Sequence, residues 1–263
     1  MDTTQSQPNP KPRIQDGRPA RRRRRWPWVI LVVIAALVAI GGIAFTAYAS
    51  DYYHADEAAL QAMEPTEGVQ VRTLANGDIA FIPPSPRAGV VLYPGGKVQA
   101  EAYAPLLQAL AERGFLGVLV PMPFNLAVLN MNGADGVQEQ FPEVRSWVLM
   151  GHSLGGVMAA AYASSHGEEW EGLVLLGAYA TSDLAESGLT VLSLSGTEDG
   201  ILNRQAAASN RGNLPEGAVE LNIEGGNHAQ FGSYGAQSSD GTATIAPEEQ
   251  RRVVADAVAR TFP

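Results

Sequence analysis

The hexapeptide Gly151-His152-Ser153-Leu154-Gly155-Gly156 sets a serine between two glycines, each two residues away. A serine hydroxyl is a weak nucleophile near neutral pH. It becomes effective beside a histidine base whose second ring nitrogen is held by a carboxylate. The glycines suit the same task, because a sharp strand-to-helix turn that lifts the serine clear of the backbone leaves no room for side chains on its flanks. The pattern alone is common. Its setting gives it weight: an apolar run at 147–150 precedes it and an alanine-rich stretch at 154–166 follows.

Four histidines are present, His54, His152, His166 and His228. In sheets of this kind the order along the chain is serine, acid, histidine, which leaves His166 and His228 as bases. His166 is expected to be carried about three and a half turns along the following helix, to a solvated helix end. His228, in the turn Gly225-Gly226-Asn227-His228 after the run 219–223, is therefore the expected base. His152 adjoins the serine but is expected to point to another side of the turn, in a packing or lining role. For the acid, Asp199 in Gly196-Thr197-Glu198-Asp199-Gly200 follows the run 191–195, where the carboxyl edge of a parallel sheet forms sites. Glu198 and Asp183 are its rivals. Donors for a developing oxyanion are expected from Tyr93-Pro94-Gly95-Gly96-Lys97, with the N–H groups of Gly96 and Leu154 forming the hole and Lys97 N–H as the alternative. A phosphate-loop reading of these glycines fails because the Walker spacing is absent. Phe124 and Phe231, with Met122, Leu126 and Tyr179, are candidates to line a substrate pocket.

These residues need elements to hold them. Short apolar runs occur at 69–73, 79–82, 89–93, 116–120, 147–150, 173–176, 191–195 and 219–223. Helical spacing appears between them, at 103–113 with Gly114 as the stop, at 154–166, at 201–211 and at 247–260 behind Pro247. Strands alternating with helices imply an α/β fold, a mostly parallel sheet covered on both faces. A content of 46% hydrophobic and 17% charged residues excludes a disordered polymer. The absence of cysteine excludes a disulfide framework, a thiolate metal site and a cysteine nucleophile. No two histidines share a helical face, so neither a histidine metal site nor a cofactor is expected.

Charge divides the chain. Within residues 1–28 eight basic residues, including the block Arg21 to Arg25, face two acidic ones, giving +6; the formal total of -9 leaves -15 for the other 235 residues. Such an acidic body does not suit nucleic acid, which needs a clustered basic face. From Trp26 to Ser50 no residue is charged, and the 21 residues at 29–49 would span about 31 Å as a helix, matching a hydrocarbon core of about 30 Å. Arginines before the span, Trp26 and Trp28 at its start, and Asp51, Asp56 and Glu57 after it predict a membrane anchor with a cytoplasmic N-terminus and an exported body. The competing reading is a signal peptide cleaved after Ala47-Tyr48-Ala49, which would release the body. The expected organisation is a disordered basic tail at 1–25, an anchor at 26–50, a connector at 51–68 and an α/β domain at 69–263.

Taken together, Tyr93-Pro94-Gly95-Gly96-Lys97, Pro121-Met122-Pro123-Phe124-Asn125, the serine hexapeptide, Gly196-Thr197-Glu198-Asp199 and Gly225-Gly226-Asn227-His228-Ala229-Gln230-Phe231-Gly232 resemble the α/β-hydrolase superfamily. The resemblance is particularly to its small, lidless, dienelactone-hydrolase-like members. The resemblance covers about 69–262. It implies Ser153 as nucleophile, Asp199 as acid, His228 as base and an acyl-enzyme intermediate. Dienelactone hydrolases themselves use a cysteine, so their substrate does not carry over. The usual His-Gly pair of the oxyanion loop is replaced here by Pro94-Gly95. No long insertion interrupts the domain, so an open cleft for small or surface-accessible acyl substrates is expected. The function implied is a membrane-anchored serine hydrolase of esters. The alternatives are thioester, amide or acyl-transfer chemistry at the same residues, or a binding module whose triad is vestigial.

Overall fold

The computed structural model describes Met1 and residues 26–263, so the basic tail expected at 1–25 lies, Met1 apart, outside the described residues. The chain forms two compact units, Met1–Thr46 and Ala47–Pro263. The first holds most of helix α1 (Trp26–Ser50), which is apolar on every face, exposed, and long and apolar enough to cross a membrane.

The second unit is built on one eight-stranded sheet. Each apolar run of the sequence forms one strand: β1 (Gln70–Thr73), β2 (Ile79–Ile82), β3 (Ala88–Tyr93), β4 (Phe115–Leu119), β5 (Trp147–His152), β6 (Gly172–Leu176), β7 (Thr190–Gly196) and β8 (Val219–Ile223). Their order across the sheet is β1-β2-β4-β3-β5-β6-β7-β8. β1 and β2 pair antiparallel at one edge, and the six strands from β4 to β8 run parallel. The chain moves from β3 outwards to β4 and then returns across β3 to β5. This reversal makes the carboxyl ends of β3 and β5 a topological switch point, where Tyr93 and Gly151 stand opposite each other.

Alternation along β3 sorts the core into two layers. Val90 and Leu92 point to the face covered by α3 (Ala104–Ala111) and α6 (Pro247–Thr261), packing with Leu106, Leu107, Leu110, Val254 and Val258. Val91 and Tyr93 point to the other face, against Ala159, Ala160 and Ala163 of α4 (Leu154–His166). Strands buried on both faces explain the near-continuous apolar runs at β3, β4 and β6. The helix expected at 201–211 is shorter, α5 (Arg204–Ser209), because Asn203 caps its start by accepting from Ala206 N at 2.9 Å and a 3-10 turn at Arg211–Asn213 ends it.

Residues 51–68, expected as a connector, are bonded to the fold. Asp56 caps a short helix, α2 (Glu57–Gln61), and Tyr53 forms a parallel bridge with Val98.

Candidate active site

Five loops converge at the carboxyl edge of the sheet. The first follows β5. Ser153 sits there between strand and helix with φ 51° and ψ -122°, a backbone conformation that L-residues adopt only under constraint. The glycines around it make the turn possible. A Cβ on Gly151 would lie 2.5 Å from the Gly155 carbonyl, and one on Gly155 would lie 2.3 Å from the carbonyl oxygens of Tyr93 and Pro94. Ser153 N–H donates to Leu176 O at 2.9 Å, fixing the turn to β6.

The loop after β3 meets this turn. A Cβ on Gly96 would come within 2.9 Å of Leu154 Cδ2, so the two expected oxyanion donors adjoin. The N–H groups of Gly96 and Leu154 have no partner among the described residues. Lys97, the alternative donor, is not available: its N–H donates to Asn125 O at 2.7 Å. Lys97 reaches this geometry through φ 59°.

The loops after β7 and β8 bring together a buried acid and a buried imidazole. His228 Nδ1 lies 2.9 Å from Asp199 Oδ2, and both side chains are essentially inaccessible. The other oxygen of Asp199 accepts from Ile201 N and Leu202 N at 2.9 and 2.8 Å. Burial alone would raise the Asp199 carboxyl, but the His228 contact and these two N–H donors outweigh it and hold it below the ordinary value of 3.8. With Asp199 ionised, Nδ1 of His228 carries the hydrogen, which leaves Nε2 as the acceptor of a neutral ring. Nε2 is buried and has no partner among the described residues. Glu198 and Asp183, the rival acids, are exposed. Asp183 accepts only a local bond from Ala185 N, and Glu198 accepts from the neighbouring Thr197 hydroxyl.

Two further supports hold the pair. Gly177, at φ 52° after β6, leaves the space it needs, since a Cβ there would lie 2.8 Å from His228 Nδ1. Asp240 ties the two loops together. Its Oδ1 accepts from Gly200 N at 3.0 Å, Gly241 N at 2.8 Å and His228 N at 3.4 Å, and its Oδ2 accepts from Ala229 N at 2.8 Å. On the far side Gln250 grips Asn227 twice, accepting from its N–H and donating to its carbonyl.

His152, expected to pack or line on another side of the turn, is buried beside the acid–imidazole pair. Its ring lies 4.5 Å from that of His228 and 5.5 Å from that of Phe231. Tyr103 Oη accepts from Gly95 N at 2.9 Å and donates its own hydrogen to His152 Nδ1 at 2.7 Å, because burial pushes the Tyr103 phenol far above its ordinary pKa and keeps it protonated. The tautomer of His152 therefore carries hydrogen on Nε2. Burial, then the neighbouring His228, hold His152 well below the ordinary imidazole value of 6.5. Phe231 is completely buried beneath these rings rather than exposed to a cleft, and Met122 and Leu126 are buried too; Phe124 is exposed and Tyr179 half-buried. His166 stacks on Tyr162 at 4.1 Å, on α4.

A family model described as "Alpha/beta hydrolase family" matches residues 89–252, more than half of the chain. The chain belongs to the alpha/beta hydrolase family. Among solved structures it is similar to carboxyl esterase 2 from Tuber melanosporum, with a TM-score of 0.56 and 11% identity over 81% of this chain and 92% of that one. It is also similar to Est1E from Butyrivibrio proteoclasticus, with a TM-score of 0.54 and 12% identity over 74% and 99%. For TT1662 from Thermus thermophilus the TM-score is 0.55 and the identity 19%, over 73% and 98%. At these identities the likeness concerns the fold. No curated protein matches this hydrolase.

His152 is neutral when folded and titrates near 6.5 when unfolded, so its contribution to stability is complete above that value and is lost as pH falls below it. Thermal unfolding of His152→Gln should therefore show a shallower loss between about pH 7 and 5 than the parent chain; equal slopes would contradict the burial argument. Asp240→Ala should lower stability by about 1–3 kcal/mol in denaturant unfolding, because it strands N–H donors of two loops. Asp183→Ala, at an exposed local turn, should change it by less than about 0.5 kcal/mol.

Proposed function

We propose that this hydrolase cleaves ester bonds through an acyl-enzyme intermediate on Ser153, with His228 as base, Asp199 as the acid that orients it, and the N–H groups of Gly96 and Leu154 as the oxyanion hole. The observation that carries the reading is the buried Asp199–His228 pair, whose unpartnered Nε2 lies at the edge where Ser153 is held in its strained turn. Ser153 Oγ attacks the acyl carbon as its proton passes to Nε2, and Asp199 stabilises the imidazolium. The two amides receive the charge that develops on the carbonyl oxygen, then His228 returns the proton to the departing alcohol. Water, deprotonated by the same imidazole, releases the acid. The bond between Oγ and Nε2 is not present in the resting arrangement, and the mechanism requires it to form as substrate binds. Phe124, at the exposed edge beside Asn125, is the side chain offered to the acyl group.

The neighbouring rings add to this site. The Tyr103–His152 pair positions the oxyanion loop through Gly95 N–H. Thioester, amide and transfer reactions would use the same groups; the structural likeness to a carboxyl esterase and to an esterase domain favours the ester. We further propose that α1 anchors the hydrolase in a membrane with its N-terminus cytoplasmic and its catalytic unit outside. The length of the apolar helix and the arginine block before it support this.

Kinetics with a soluble short-chain ester test the reading. Ser153→Ala and His228→Ala should each lower kcat by about 10³-fold or more, and Asp199→Asn by about 10²-fold or more, with the fold intact by circular dichroism. Full activity in His228→Ala would remove the assignment.

A further inference from the structure

The segment between β4 and β5 carries an exposed apolar edge. Phe124, Val128, Leu129 and Met131 are 56%, 57%, 49% and 39% exposed, and from Pro121 to Ala134 no residue is charged. In a body of strongly acidic balance this is an unusual surface. Asn125, Asn130 and Asn132 alternate with the apolar residues, a mixture of uncharged polar and apolar groups that suits the boundary between water and lipid. Phe124 and Asn125 hold left-handed backbone angles, φ 55° and 56°, so the edge is a constrained feature rather than a slack loop.

What lies against this edge identifies its partner. Asn125 O accepts the N–H of Lys97, the residue next to Gly96. The Lys97 ammonium pairs with Asp51 at 3.0 Å and lies 4.6 Å from the centre of the Tyr48 ring. Asp51 is the first charged residue after the apolar helix, which ends at Ser50. Two backbone bonds then fix the chain: Tyr53 N donates to Lys97 O at 2.7 Å and Gln99 N donates to Tyr53 O at 2.9 Å. Three residues, about 10 Å of extended chain at most, thus separate the end of the apolar helix from the loop that bears Gly96. These contacts all lie within the second unit, and they hold the loop bearing Gly96, with the apolar edge bonded to it, to the residues that directly follow the apolar helix.

We infer that residues 124–131 form an apolar lip that rests in the interfacial layer of the bilayer holding α1, and that the site takes long-chain acyl esters presented by that membrane in preference to esters dissolved in water. The inference rests on the Ser153 reading and on α1 as an uncleaved anchor. The acidic body offers no electrostatic attraction to an anionic surface, so contact is made by the apolar side chains.

The test uses the full chain in phosphatidylcholine vesicles. Because the chain has no cysteine, Leu129→Cys can carry a single environment-sensitive nitrobenzoxadiazole dye, with Glu216→Cys, an exposed site before β8 at the opposite edge of the sheet, as control. Spin-labelled lipid should quench the dye at 129 at least twofold more than at 216; equal quenching would overturn the lip. A second measurement compares a long-chain acyl ester embedded in the vesicles with a soluble acetyl ester. The triple variant Val128→Ser, Leu129→Ser, Met131→Ser should lose about tenfold on the embedded ester and stay within twofold on the soluble one. An unchanged ratio between the two esters would overturn the preference while leaving the hydrolase reading in place. Turnover of neither ester by the parent chain, with quenching at 129 retained, would instead remove the Ser153 reading and with it the substrate preference.

Discussion

One residue in this fold is forced into a conformation its side chain disfavours, and the surrounding architecture accommodates it. Ser153, at φ 51° and ψ -122°, holds that geometry only because Gly151, Gly155 and Gly156 let β5, α4 and the β3 loop approach to distances that no Cβ could tolerate. The adjacency of β3 and β5 at the point where strand order reverses brings Gly96 against Leu154. The packing of small residues on α4 against the sheet holds the turn closed.

The second requirement is a buried ionisable pair. A carboxylate and an imidazole removed from water are costly unless each polar atom finds a partner. Asp199 meets this with three donors, and His228 leaves one atom open, Nε2. That open atom of the pair, in a ring placed by Asp199, Asp240 and Gly177, is what the proposed reaction would use. His152 presses on the same ring while its own nitrogen is tied, through Tyr103, to the loop bearing Gly96. Hydrogen bonds therefore link the loop bearing Gly96 to His152 beside Ser153, and a ring contact continues from His152 to His228.

The sequence made the fold legible because its signals are local. Eight apolar runs form eight strands, and the glycine pattern around Ser153 marks a strand-to-helix turn. That Asp199 and Gly96 lie in loops at the carboxyl edge of the sheet was legible for the same reason, each following an apolar run that forms a strand. The side of the turn that His152 occupies was not legible, since it depends on Tyr103, 49 positions away. Asp240 was equally hidden. It follows no strand and carries no motif; only the folded loops show that it receives N–H groups from Gly200, His228 and Ala229. Phe231 reads as a pocket residue by position and proves to be core, and residues 51–68 read as a connector by composition yet pair with the β3 loop through Tyr53.

An activated serine is the claim on which the functional account stands. The most direct measurement is labelling of the full chain with a fluorophosphonate, located by mass spectrometry, beside His228→Ala and Ser153→Ala. The account requires one label per chain at Ser153, slower by about 10²-fold or more in His228→Ala and absent in Ser153→Ala. A folded chain that stays unlabelled, or that labels at another residue, would contradict it.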